Sequence, residues 1–280
     1  MVPVSREEII KVVQELPSDK APGIDGYPAE FFKENWQVIG KDVIKAVMEF
    51  FDTGKLLKEI NCTTITLIPK VVNPNFVKEF RPIACCSTMY KIIAKLLTNR
   101  LKLDSNAGMG IPYKMVNLIM ECVSTVSYSL LINGGLTPKF SAKKGLRQGH
   151  PMSPYLFVLV MEYLNRALKQ LNSNPDFNYH PNCAKLGVIH ICFADDLLMC
   201  CRADRVSIEL MMKQFEKFST VSGLQANMEK SSLYVAGIST QYREEILKKE
   251  ADHWRNTIQI LWGSIVLKEA QHQPMYATGG

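Results

Sequence analysis

Apolar positions along the chain change period several times, and each change predicts an element. Ile9, Val12, Val13 and Leu16 recur at helical spacing behind Ser5 and Glu8, a capping pattern, and Pro17 ends the run. A loop dense in Pro, Gly and Asp, PSDKAPGIDGYP, follows. Helices are predicted at about 28–36 and 38–53, the second closed by Gly54. CTTITLIPK (62–70) alternates with β-branched residues and predicts a strand. FRPIACCSTMYKIIAKLLTNRLK begins as a turn and becomes a basic amphipathic helix, with Lys91, Lys95 and Lys102 on or near one side. VSYSLLINGGLTPKFSA predicts a hairpin around Asn133-Gly134-Gly135. SPYLFVLVMEYLNRALKQL (153–171) is the clearest helix, with Ser153 as its cap. The run 186–201 is a second hairpin or bent strand. A helix near 204–219, a short strand near 231–237 and a helix near 240–250 complete the pattern. KLDSNAGMGIP (102–112) and the final thirty residues follow neither period.

This mixture predicts an α+β fold. A length of 280 residues allows one large domain or two modest ones, and 47% hydrophobic with 21% charged residues excludes wholesale disorder. The net charge of +6 tilts weakly towards a polyanionic partner. The eight cysteines form no C-x-x-C pair and lie mostly in apolar runs, so reduced thiols of an intracellular protein are expected, with neither zinc nor a disulfide-linked partner. The N-terminus carries charges where a signal peptide is apolar, and no run approaches a membrane span. A soluble, non-secreted protein of the nucleus or cytoplasm is therefore expected, with no membrane partner.

The stretch VIHICFADDLLMCC (188–201) sets Asp195 and Asp196 side by side between two apolar arms, with no lysine or arginine within it. As a dipeptide the pair is most simply a polar turn. The apolar flanks (Ile189, Ile191 and Phe193 before it, Leu197, Leu198 and Met199 after it) argue for more, because they predict a rigidly held tip. Two carboxylates about 4 Å apart repel by about 4 kcal/mol at an effective dielectric of about 20. They must share a proton, face water or bind a cation. Mg²⁺, a hard ion that takes carboxylates together with substrate phosphates, suits such a site, and two such ions suit phosphoryl transfer. Elsewhere, Lys70 and Arg81 lie eleven residues apart across a loop and could converge on one anion. Gly145 and Gly149 bracket Leu146, Arg147 and Gln148, a turn or a close backbone approach to a ligand.

FADD within an apolar hairpin resembles the catalytic aspartate motif of reverse transcriptases. Further segments follow in that family's order over roughly residues 5–250. DKAPGIDGYPAEFFKENW (19–36) resembles the opening segment of the polymerase domain in plant-type LINE, or non-LTR, retrotransposons. TLIPK (66–70) and FRPIACCSTMYKIIAKLLTNRL (80–101) resemble its fingers motifs. GLRQGHPMSPYLFVLVMEYL (145–164) resembles the template-and-nucleotide segment, and SGLQANMEKS (222–231) the segment after the catalytic hairpin. The resemblance implies right-hand polymerase fingers over 1–102 and a palm with a small antiparallel sheet over 113–250. It implies Asp195 and Asp196 as ligands of two Mg²⁺ ions (Mn²⁺ as a substitute), and Lys230 as proton donor to the leaving pyrophosphate. Lys70, Arg81, Gln148, Gly149 and Phe193 would line the nucleotide site. An RNA template, a DNA primer and deoxynucleoside triphosphates would be the partners, and the basic segments 91–102 and 139–147 (Lys139, Lys143, Lys144, Arg147) would track phosphates.

The resemblance breaks in three places. His150 stands where the family usually has an acidic residue. The family's first aspartate motif, between the basic helix and MGIPYKMVNLIMECV, is missing, so 103–112 reads as an irregular deletion junction with Asp104 as the one candidate remnant ligand. The thumb is also missing, and 251–280 reads as a tail outside the family. The expectation is an inactive reverse transcriptase fragment. A non-catalytic nucleic-acid-binding remnant and a non-functional relic stay open beside it.

Overall fold

The computed structural model describes residues 2–105, 110–143, 145–194, 196–227 and, beyond these, 231, 234, 237–242 and 244. The chain forms two compact units that divide between Phe157 and Val158, so the junction expected at 103–112 falls within the first unit.

In the first unit, α1 (Arg6–Glu15) starts where Ser5 accepts the Glu8 N–H at 3.2 Å, and buries Ile9, Val12 and Val13. α2 (Ala29–Glu34) and α3 (Trp36–Thr53) follow, and α3 ends at Gly54 with φ +71°, the left-handed cap expected of glycine. α4 (Thr88–Ser105) is the central helix: Tyr90, Ile92, Ile93, Leu96, Leu97 and Leu101 are all buried. It continues to Ser105, so the first residues of the irregular stretch form its last turn. Arg100 ties the N-terminus to it by a fork onto Glu8 (3.1 and 2.8 Å) and by bonds to the carbonyls of Val2 and Pro3. The loop before α2 docks on the start of α4. Gly23 lies so close to Ser87 that a Cβ would be 2.4 Å from its backbone nitrogen, and Thr88 donates to the Tyr27 carbonyl at 2.7 Å.

The sheet of this unit has five strands. β1 (Cys62–Pro69) pairs antiparallel with β2 (Phe80–Cys86) and parallel with β3 (Ser127–Ile132), the crossover running through α4 and α5 (Tyr113–Ser124). The segment expected to begin as a turn at Phe80 is therefore an edge strand. Its pairing with β1 comes from a long loop that local periodicity does not reveal. β3 turns through Asn133 (φ +51°) and Gly134 (φ +79°) into β4 (Gly135–Leu136), a two-residue hairpin whose twist suits the strands. β5 (Phe140–Ser141) pairs with β3. This sheet is mixed through the parallel β1–β3 pair, whereas the pairings among strands within 113–250, the segment expected to carry a small antiparallel sheet, are antiparallel among the described residues.

α6 (Ser153–Lys169) contains the boundary between the units. In the second unit, β6 (His190–Phe193) and β7 (Asp196–Met199) form an antiparallel two-stranded ladder. α7 (Arg205–Ser222) is capped by Asp204, which accepts the Ser207 N–H at 2.9 Å, and buries Ile208, Met211, Phe215 and Phe218. The strand expected near 231–237 and the helix near 240–250 fall mostly outside the described residues. No helix among the described residues is long and apolar enough to cross a membrane. All eight cysteines are free thiols.

Candidate functional site

Lys70 and Arg81 lie on one face of the β1–β2 ladder. Ile68 is the register partner of Arg81, Lys70 stands two residues further on, and the Lys70 N–H extends the ladder onto the Glu79 carbonyl at 2.7 Å. The two cations are thus diagonal neighbours, a relation that spans about 7–8 Å between strands. Both are exposed, and Lys70 Nζ donates to the Lys78 carbonyl at 2.9 Å. Glu79 braces the connecting loop by accepting the N–H groups of Asn75 and Phe76. These two bonds hold its carboxyl below the usual range.

Gln148 and Gly149 dock on the outer edge of β2. The Gln148 carbonyl accepts the Ala84 N–H at 3.0 Å, pairing a donor that an edge strand otherwise leaves open. Gly149 has φ +86°, and a Cβ there would meet Ile83 Cγ2 at 3.7 Å. Four of the predicted nucleotide-site residues, Lys70, Arg81, Gln148 and Gly149, are therefore carried by β1, β2 and the turn that docks on them.

What holds this turn was not legible as a motif. Arg147 was expected to meet phosphates, but its side chain is buried. Nη1 donates to Thr63 Oγ1 (3.1 Å) and Cys86 Sγ (3.6 Å), and Nη2 to the Cys122 carbonyl (2.9 Å) and Asn61 Oδ1. The guanidinium stacks over the Tyr90 ring at 4.2 Å. Ser153, at the start of α6, donates to the Arg147 carbonyl at 2.7 Å. The cation is thus solvated by dipoles, a ring and a thiol, with no carboxylate ion pair among the described residues. Beside it His150 is buried against Tyr90, its Nδ1 accepting the Met152 N–H at 3.2 Å. Nδ1 as acceptor puts the proton on Nε2, which has no partner among the described residues. Burial first, and the Arg147 charge second, push its pKa down to about 3. The available signal was the polar pair Asn61, just before β1, and Thr63, in it; both are buried, which asks for a buried partner.

The other basic segment is also partly structural. Lys91 Nζ donates to the Ala21 carbonyl at 2.6 Å, its charge disfavoured by burial, and Lys102 lies 5.2 Å over the Tyr155 ring. Lys139 and Lys143 are exposed.

In the second unit, Phe193 pairs with Asp196 across the turn, and Ala194 takes φ +52°, a left-handed conformation uncommon for a residue with a side chain. Strand alternation puts Leu197 and Met199, both buried, on one face and Asp196 on the other with Ile191 and Phe193, which are 55% and 80% exposed. Of the strand residues in the arms expected to be buried throughout, only Leu197 and Met199 of β7 are; Cys192, on the same face, is exposed, because a two-stranded ladder leaves much of its surface to solvent. His190, on the buried side, feels Lys169 and Glu162 of α6. Burial, then Lys169, lowers its pKa. Asp196 is half-buried and in no ion pair among the described residues. Asp195 and Lys230, and the side chain of Asp104, lie outside the described residues; Asp104 itself belongs to the last turn of α4. No group of three or more metal-ligating side chains occurs among the described residues.

Comparison with known proteins bears on this arrangement directly. The family "Reverse transcriptase (RNA-dependent DNA polymerase)" matches residues 107–261, more than half of the chain, including the first eleven of the last thirty residues. The chain is 23% identical to an uncharacterised 149 kDa protein of transposon TX1 from Xenopus laevis, over 84% of this chain and 22% of that protein. That alignment runs over 300 positions, whereas 84% of 280 residues is about 235, so it includes about 65 positions at which this chain has no residue. The chain is also 28% identical to the Pol polyprotein of the type-2 retrotransposable element R2DM of Drosophila melanogaster, over 53% of this chain and 13% of that protein. A 31% identity to the Pol polyprotein of the type-1 element R2 of Popillia japonica covers 32% of this chain and 14% of that one. The chain thus spans less than a quarter of the length of each of these three relatives. With the hairpin around Asp196 and the docked turn at Gln148–Gly149 both inside the matched residues, the chain belongs to the reverse transcriptase family.

Proposed function

We propose that this chain is the fingers-and-palm portion of a non-LTR retrotransposon reverse transcriptase, built for RNA-templated DNA synthesis but no longer able to perform it. The observation that carries the nucleotide site is that Lys70 and Arg81 share a face at the end of the β1–β2 ladder while the turn of Gln148 and Gly149 docks on the outer edge of β2. Lys70 and Arg81 would bind the triphosphate, the Arg as a two-pronged donor and the Lys as a point charge. Gln148 and Gly149 would line the base and sugar, and exposed Phe193 would lie against the primer end. The carboxylates of Asp195 and Asp196 are hard oxygen donors, and Asp196 has no competing ion pair among the described residues, which fits Mg²⁺ or Mn²⁺. Such ions, when bound, would supply Lewis acidity to the transferring phosphate. Lys230 would hold the proton destined for the leaving pyrophosphate.

Loss of activity follows from the missing third carboxylate. Asp104, in the last turn of a helix, is the candidate replacement. Positioning supplies much of the rate in phosphoryl transfer, so a displaced ligand is severe. The purified 280-residue chain is expected to give no primer extension with Mg²⁺ or Mn²⁺. Extension that disappears in Asp195→Ala would overturn the loss of activity and make Asp104 a working ligand.

The exposed tip between β1 and β2, where Lys78 lies 5.8 Å over the Phe76 ring beside Lys70 and Arg81, favours one second reading: a remnant that only binds nucleic acid. Binding of an RNA–DNA duplex should then weaken moderately as salt rises and fall in Lys70→Ala/Arg81→Ala. Salt-independent binding would point to a protein partner.

A further inference from the structure

Two thiols meet at the base of the β6–β7 hairpin. Cys183 Sγ lies 3.8 Å from Cys200 Sγ. Both residues are braced against the same short segment: the Val188 N–H donates to the Cys183 carbonyl at 3.3 Å, and the Cys200 N–H to the Ile189 carbonyl at 2.8 Å. Cys200 Sγ also contacts the Val188 carbonyl at 3.7 Å. The backbone around the pair is thus held by hydrogen bonds, and closing the sulfurs to bonding distance, about 2.05 Å, asks mainly for side-chain rotation.

The two thiols differ in access. Cys183 is half-buried in the loop before the hairpin, whereas Cys200 is 6% exposed. We propose that Cys183 and Cys200 form a reversible disulfide under peroxide, closing a covalent ring around the hairpin that carries Asp196. Cys183, the more accessible, attacks the peroxide O–O bond as its thiolate, becoming a sulfenic acid while one peroxide oxygen leaves as water. The Cys200 sulfur then attacks the Cys183 sulfur, the S–S bond forms, and the displaced hydroxide leaves as water with the Cys200 proton. In sum, two thiols and one hydrogen peroxide give one disulfide and two waters. Burial and the neighbouring Cys183 raise the Cys200 thiol to about 12, so Cys200 stays protonated and does not meet the peroxide first; its 3.8 Å contact with Cys183 is what places it for the second step. This proposal does not depend on whether the chain retains polymerase chemistry.

The test treats the full chain with hydrogen peroxide, alkylates the remaining thiols after denaturation and maps tryptic peptides without reduction. The expected result is loss of two of the eight thiols in monomeric protein, a link between the peptide holding Cys183 and Leu186–Arg202, and full reversal by dithiothreitol. Because Leu186–Arg202 also carries Cys192 and Cys201, the link must vanish in Cys183→Ser and Cys200→Ser and persist in Cys192→Ser and Cys201→Ser. The oxidised form should also show a raised urea midpoint, since the ring restricts the unfolded chain. An unchanged thiol count, Cys183 driven to sulfinic acid without bridging, or a bridge to Cys192 or Cys201 would overturn the proposal. A variant that fails to fold is replaced by the corresponding alanine and read by the same peptide map.

Discussion

Arg147 is buried and bonded on every side, whereas Phe193 is 80% exposed, yet each belongs to a turn that carries part of the proposed site. The first turn, 147–150, is held by tertiary contacts: a guanidinium reaching Asn61, Thr63, Cys86 and Cys122, and a backbone bond from Ala84 to Gln148. The hairpin tip at 193–196 is set locally, by strand pairing and by Ala194 in a left-handed conformation. A turn anchored by a buried cation is shifted only by changes to its cage. A turn set by its own backbone is shifted by changes in its own few residues. The two should therefore respond differently to mutation and to pH.

The largest effect is expected at Arg147. Arg147→Met removes the charged donors to Thr63, Asn61 and the Cys122 carbonyl; Asn61 Nδ2 and Tyr90 still donate to that carbonyl, but Asn61 Oδ1 loses its donor in the interior, and the change should cost about 3–5 kcal/mol in urea denaturation. Arg147→Lys should recover little of this, because one ammonium lacks the planar fork that reaches all of them. A loss below about 1 kcal/mol would mean that the cage repacks and that the turn is not anchored as described.

Acid should separate the two turns next. His150 has its pKa lowered to about 3 by burial and by Arg147, against about 6.5 when unfolded. The unfolded chain therefore takes up the proton first. The stability is fully present above about pH 6.5 and declines as pH falls towards 3, by about 1.4 kcal/mol per pH unit within that window. His150→Gln should flatten this part of the profile. Equal acid sensitivity in the variant would assign the effect to other groups.

At the hairpin tip the changes should be smaller. Ala194→Gly removes the side chain from a left-handed position and should stabilise by about 1 kcal/mol or less. A destabilising result would show that the Ala194 methyl makes packing contacts that outweigh the backbone strain. Smallest of all, Phe193→Ser should change stability by no more than about 0.5 kcal/mol, since the ring is mostly in water. A larger loss would show that the open face of the hairpin is covered.

Local chemistry by itself determined the helices at 6–15, 36–53, 153–169 and 205–222, because their apolar spacing and caps are written within single windows of sequence. It also determined the turn at Asn133–Gly134 and the hairpin through FADD, where residue types and pairing are neighbours in the chain. Tertiary structure alone decided that Phe80–Cys86 is an edge strand, that Ile191 and Phe193 face water, and that Arg147 is a buried anchor and not a phosphate contact. The physical reason is distance along the chain. The partners of Arg147 lie 25 to 86 residues away, so its sequence neighbourhood reads as a basic loop, and only folding of α4, α5 and β1 around it supplies the dipoles that let a cation leave water.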